Sequence, residues 1–158
     1  MARSAFRLEP LLKIRLMEEE GAKRVVAERL RQIQQVERQI GLLQQQLTEA
    51  GNVMRSLVLA GPIVPVEATR QRGYIGWLQG QQFQAQGRLQ QLQGQLAADR
   101  VALAEASKRR KILDKLKERQ HQRRVRLANL AEQRATDELG VTQFSRDREG
   151  TGFAAGST

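Results

Sequence analysis

The chain has 158 residues and a formal charge of +10 at pH 7, with no cysteine, three prolines and 4% aromatic residues. Without cysteine there is neither a disulfide framework nor a thiolate metal site. So few aromatics, with abundant Leu, Ala, Gln, Arg and Glu, fit long helices with a thin apolar seam better than a compact core.

The start, Met1 to Leu16, does not read as a signal peptide, because Arg7, Glu9, Lys13 and Arg15 interrupt every apolar run. Its apolar residues Leu8, Leu12, Leu16, Ala22, Val26 and Leu30 step mostly by four, which predicts a shift in seam direction near Leu30. From there Ile33, Val36, Ile40, Leu43, Leu47, Ala50, Met54 and Leu57 step by three and four without a polar interruption, the pattern of a coiled-coil seam. Helix one is expected at about 5–59, roughly 80 Å long at about 1.5 Å per residue.

The longest apolar run, Leu57 to Val66, carries Pro62 and Pro65 and is too short to span a bilayer. Gly61 can end a helix, Pro62 cannot continue it and Pro65 can open the next, so a turn is expected at about 60–66.

Helix two is expected at about 66–142. Its seam reads Ile75, Leu78, Gln82, Ala85, Leu89, Leu92, Leu96, Asp99, Leu103, Ala106, with two polar positions. Gly73, Gly80, Gly87 and Gly94 recur every seven residues on the side away from helix one. Such a row is either drift at a tolerant surface or a bendable, smooth face for a partner.

A short connection makes the two helices antiparallel neighbours. With the turn near residue 63, facing residues have numbers summing to about 126, which sets Leu12 opposite Asp114 and Arg15 opposite Lys111. The fold class is therefore all-α, a long antiparallel two-helix coiled-coil hairpin over residues 1–144. Helix two overhangs, and 145–158 reads as a disordered tail for want of apolar period.

The segment from Lys108 to Arg126 contains ten Lys or Arg against Asp114 and Glu118, a formal charge of +8. Continued into it, the register sets Arg110, Lys117 and Arg124 on the seam, where cations weaken helix packing. Leu113 and Leu116 offer a competing register. Three readings stand: a solvated face, a nucleic-acid contact through phosphate neutralisation, and a dock for an acidic protein surface. Against nucleic acid, the stretch lacks aromatics for base stacking and does not precede a zipper as a basic region would. The single His121 lies among Gln and Arg, no phosphate-binding Gly loop occurs, and no metal-ligand spacing appears. No enzyme activity, cofactor or metal is expected.

The spacing Phe6-x-Leu8-x-x-Leu11-Leu12-x-x-Arg15-x-x-x-Glu19-x-x-Ala22, then Tyr74-x-x-Trp77-Leu78, Glu105-Ala106, Lys111-x-Leu113-Asp114-Lys115-Leu116-Lys117-Glu118-Arg119, and Asp137-Glu138 followed by Phe144, resembles the FliJ family. Its members are coiled-coil components of the bacterial flagellar type III export apparatus. The likeness covers about residues 5–144, and this chain departs from the family pattern in its richness in Gly and Gln along helix two.

The resemblance implies a non-enzymatic cytoplasmic stalk at the flagellar base, peripheral to the membrane through its partners. It would insert into the hexameric export ATPase ring, promote ring assembly and activity, and contact the cytoplasmic domain of the export gate and export chaperones. By motif, Phe6, Leu8, Leu12 and Arg15 with Arg110, Lys111, Lys115, Lys117 and Arg119 would form the ATPase-docking end. Tyr74 and Trp77 would meet the gate. A nucleic-acid-binding coiled coil, a virulence-type secretion stalk and a generic coiled-coil scaffold are the alternatives.

Overall fold

The computed structural model describes the backbone of residues 6–62 and 64–152 and the side chains of 6–62 and 64–145. Two helices account for nearly all of it: α1, Glu9–Leu59, and α2, Pro65–Gly152. No strand occurs among the described residues. The fold is an all-α antiparallel coiled-coil hairpin.

Local chemistry sets the helix ends. Pro10 lies in the first turn of α1, where its missing N–H leaves no helical bond unmade. Residues 6–8 precede the helix, so α1 starts later than the expected residue 5; the Glu9 N–H donates to the Phe6 carbonyl at 3.0 Å. At the other end the Ala60 N–H closes the last turn on the Ser56 carbonyl at 3.0 Å. Gly61 then takes φ of 122°, a conformation that a side chain would strain. Pro65 opens α2 with its φ already suited to a helix, and the Val64 carbonyl accepts from Glu67 and Ala68 at 3.1 and 3.2 Å.

α2 passes the expected end near residue 142 and continues to Gly152. Residues 145–152 are therefore helical where composition pointed to disorder, and 153–158 lie outside the described residues. No proline follows Pro65, and Gly140 and Gly150 each weaken a helix by only about 1 kcal/mol relative to Ala, so nothing local breaks it.

Contacts divide the chain into two units, Lys13–Arg110 and Met1–Leu12 with Lys111–Thr158. The first is a hairpin around the turn. Its core is Ile33, Val36, Leu43 and Ala50 of α1 against Leu78, Ala85, Leu92 and Leu96 of α2, flanked by Val26, Ile40, Leu47, Ile75 and Leu89. Each well-buried Leu or Ile contributes about 1.5–3 kcal/mol.

The expected shift near Leu30 does not occur. Leu16 and Leu30 are 41% and 38% exposed, while Arg15, Glu19, Ala22, Val26 and Arg29 face α2 in the same three-four spacing that runs on to Leu57. One register holds throughout the unit because Glu19 and Arg29 occupy seam positions where they meet partners on α2.

In the second unit Leu12 and Leu113 are buried, Phe6 and Gln120 are half-buried, and Leu116 is 41% exposed. The competing register through Leu113 and Leu116 is not adopted: the series Ala106, Arg110, Leu113, Lys117, Gln120 continues the helix-two seam, and Leu116 lies off it. Beyond Gln120 every described residue of α2, to Ser145, is exposed.

Candidate functional site

The hairpin unit carries a polar layer inside its seam. Glu19 is only 5% exposed. Its carboxylate accepts a hydrogen bond from the Ser107 hydroxyl at 2.6 Å and forms an ion pair with the Arg110 guanidinium. The Ser107 hydrogen bond, aided by Arg110 and opposed by burial, holds the Glu19 carboxyl below the usual carboxylate range. Lys23, one turn on, is raised by its hydrogen bond to Glu20 and by the charge of Glu19. Further along, Arg29 donates to Asp99 at 3.0 Å with both side chains largely covered.

The second unit adds one more such pair, the Lys117 ammonium on the Glu9 carboxylate at 2.8 Å. The residue numbers of these cross-helix pairs sum to 126 for Glu9 with Lys117 and Glu19 with Ser107, 128 for Arg29 with Asp99, and 129 for Glu19 with Arg110.

These pairs correct one expectation. Arg110 and Lys117 do lie on the helix contact, yet they do not weaken it as isolated cations would, because each meets a carboxylate of α1. Glu9, Glu19 and Ser107 escaped sequence reasoning. The three-four count from Leu12 through Arg15 to Glu19 is the signal available in the sequence.

The motif residues divide by role. In the second unit Phe6, Leu8 and Leu12 of the chain start come together with Lys111, Lys115, Lys117 and Arg119. There Leu12 is buried, Phe6 is half-buried, and Leu8, Lys111, Lys115 and Arg119 are exposed, while Lys117 is shared with Glu9. Arg15 and Arg110 belong to the hairpin unit; Arg15 pairs with Glu18 at 2.8 Å on its own helix, and Arg110 is held by Glu19. Leu12 and Arg110 thus position helices, and the exposed residues are the ones available to a partner.

Tyr74 and Trp77 form a second surface. Their rings are stacked, with centroids 6.1 Å apart and planes 17° from parallel. Both are exposed, whereas the adjacent Leu78 is fully buried. Among the described residues no cluster of His, Cys, Asp or Glu suits a metal, and no helix is long and apolar enough to cross a membrane.

Compared with known protein families, residues 4–149 match the family model described as flagellar FliJ protein. The chain belongs to the FliJ family. No curated protein and no solved structure matches it. FliJ membership makes this a flagellar export-related protein of the type III secretion class, one that works with other export components and belongs to a family of structural rather than enzymatic members.

Proposed function

We propose that this chain is the non-enzymatic stalk of the flagellar export apparatus. It inserts into the hexameric export ATPase ring, promotes ring assembly and activity, and reaches the export gate and export chaperones from the cytoplasmic side of the membrane. The observation that carries this reading is the unit built from the chain start and the basic stretch. The Glu9–Lys117 pair at 2.8 Å and the buried Leu12 and Leu113 tie the two segments together. Lys111, Lys115 and Arg119 stay exposed in a stripe along one side of α2, and beyond Gln120 every described residue of α2, to Ser145, is exposed. With Lys117, Arg123, Arg124 and Arg126, which are also exposed, the cations of the whole stretch occupy several sides of the helix, which suits a surrounding collar of acidic residues better than one flat surface. The stacked, exposed Tyr74 and Trp77 support a separate gate contact, since exposed aromatics are frequent binding hot spots.

The test is ATPase turnover against stalk concentration, with circular dichroism on the same samples. Exposed ion pairs contribute about 0–1 kcal/mol each, so single substitutions have small effects. Lys111→Glu, Lys115→Glu and Arg119→Glu together abolish stimulation with helicity unchanged. Lys117 is left in place because Glu9 needs it. Moderate salt weakens docking before it affects helicity, through screening of exposed charge. A triple variant that folds and stimulates like the parent makes the basic stretch a solvated face. Tight binding of the parent to unrelated DNA at physiological salt would instead favour a nucleic-acid role.

A further inference from the structure

We propose that the chain reversal of the hairpin is a lipid contact, an apolar tip that inserts into the headgroup region of an anionic bilayer. This goes beyond the stalk reading, in which the protein meets the membrane only through partners.

The run from Leu57 to Val66 holds no charged residue. Leu57 turns partly into the seam, but the described residues after it turn outward: Val58 is 54% exposed, Leu59 86%, Val64 53% and Val66 67%. Aliphatic side chains concentrated this way on a surface mark a contact site. They come from the last turn of α1, the connection and the first turn of α2, so they surround the end of the hairpin, where a shallow, open depression is lined by Pro65, Val66, Thr69 and Arg70. A protein partner would have to supply a matching concavity. A fluid bilayer interface moulds itself around such an end without one.

The charges behind the tip fit the same occupant. From Asn52 to Gly73 the charged residues are Arg55, Arg70, Arg72 and the single acid Glu67, a local charge of +2 within a chain of +10. Arg55, Arg70 and Arg72 are all exposed. Arg55 lies four residues before Leu59, and Arg70 five residues after Pro65, which sets them about 6 and about 7.5 Å back along their helices. An apolar segment seated at an interface is buried by about 5–10 Å. With the tip at that depth the guanidinium groups meet the phosphates and gain from an anionic surface, while the exposed Glu67, about 3 Å behind Pro65, keeps the insertion at the shallow end of that range. Apolar insertion and charge supply the two signals that lasting membrane attachment needs. No described helix is long and apolar enough to cross, so the contact is interfacial.

Because the chain has no cysteine, the full-length protein can be labelled at one introduced position. An environment-sensitive fluorophore is attached through Leu59→Cys, or through Gln91→Cys as a mid-helix control. The probes are phosphatidylcholine vesicles with and without phosphatidylglycerol. The expected result is a blue shift at position 59 with the anionic vesicles, quenching there by brominated lipid, and no response at position 91. In flotation, Leu59→Asp with Val66→Asp lowers vesicle binding by about tenfold or more. Arg55→Gln with Arg70→Gln lowers it only for anionic vesicles. Neither pair changes ATPase stimulation, because the tip and the exposed Lys111, Lys115 and Arg119 belong to different units. A silent label at position 59 overturns the proposal. So does vesicle binding that survives the two aspartates but is lost in the Lys111, Lys115 and Arg119 reversal, since the basic stretch would then be the lipid contact. Aspartates that leave vesicle binding intact but detach the protein from the export assembly also overturn it, and assign the tip to a protein partner.

Discussion

Within the hairpin unit, the half of the seam near the turn and the half away from it are built differently. Near the turn, Ile33 to Leu57 of α1 meet Ile75 to Leu96 of α2, and apart from Gln82 every seam position is apolar. Away from it, Arg15, Glu19 and Arg29 share the seam with Asp99 and Arg110. The spacing is the same in both halves, so the difference lies in what it achieves. Apolar layers stabilise any alignment that keeps the seam covered. Charged layers stabilise the one alignment that pairs opposite signs. The order of signs, an acid at Glu19 and a cation at Arg29 against a cation at Arg110 and an acid at Asp99, penalises a slip along the helices, as polar seam residues do in other coiled coils.

The strongest way to break the contrast is to remove the apolar side of it. Leu78→Ala, at a fully buried position, lowers stability by about 2–5 kcal/mol in thermal unfolding followed by circular dichroism. Trp77→Ala, one residue away and exposed, leaves the melting temperature nearly unchanged while weakening gate binding. Equal losses in the two variants would make Trp77 a packing residue.

The polar half is sharpened by replacing charge with hydrocarbon. Glu19→Leu together with Arg110→Leu keeps or raises the melting temperature, since hydrophobic pairs often match covered ion pairs. Alignment becomes less selective, read as disulfide yield between Ala22→Cys and Ala106→Cys against a pair displaced by one heptad. Glu19→Leu alone removes the carboxylate that Arg110 pairs with and lowers stability; a melting temperature equal to the parent's would mean that the layer carries little.

Acid titration separates the halves more gently. Glu19 has a lowered carboxyl pKa in the folded chain, so its contribution is complete above the ordinary carboxylate range and is lost as pH falls through and below that range. The melting-temperature difference between parent and Glu19→Gln therefore narrows from about pH 6 to about pH 2. A constant difference would exclude the charge of Glu19 as the source.

The smallest effects belong to the outer glycines. A Cβ added at Gly73, Gly80, Gly87 or Gly94 meets nothing within 4 Å. Each substitution by Ala raises stability by about 0.5–1 kcal/mol. Export activity that falls while stability rises would show that a partner uses that smooth or bendable face.

Much of this fold was legible in the sequence. The three-four spacing of Ile33 to Leu57, the glycine and prolines of the turn, and the Ile75 to Ala106 series dictate an antiparallel hairpin. What was not legible depends on distant partners. Leu16 and Leu30 looked like seam residues by type, yet they are exposed, while Glu19 is buried because Ser107 and Arg110, 88 and 91 residues on, await it. The helical stretch to Gly152 was hidden for the opposite reason: it has no apolar period, and its backbone satisfies its own hydrogen bonds. At the candidate surfaces, motif order grouped the chain start with the basic stretch, but only the geometry separates Leu12 and Arg110, which position helices, from Lys111, Lys115 and Arg119, which face outward.

The reversal at Gly61, the one residue of positive φ among the described residues, also gives the hairpin an order of assembly. A chain that reverses there first brings together residues such as Gln71 and Ala50, which are 21 apart and joined by a 3.0 Å hydrogen bond. The Ser107–Glu19 contact closes a loop of 88 residues, which costs about 1.3 kcal/mol more in chain entropy if formed independently. Zippering outward from the turn avoids that cost, because each apolar layer shortens the loop left for the next. The charged layers are then reached last, after the apolar ones have chosen an alignment, and they act as a proofreading step that misaligned chains fail.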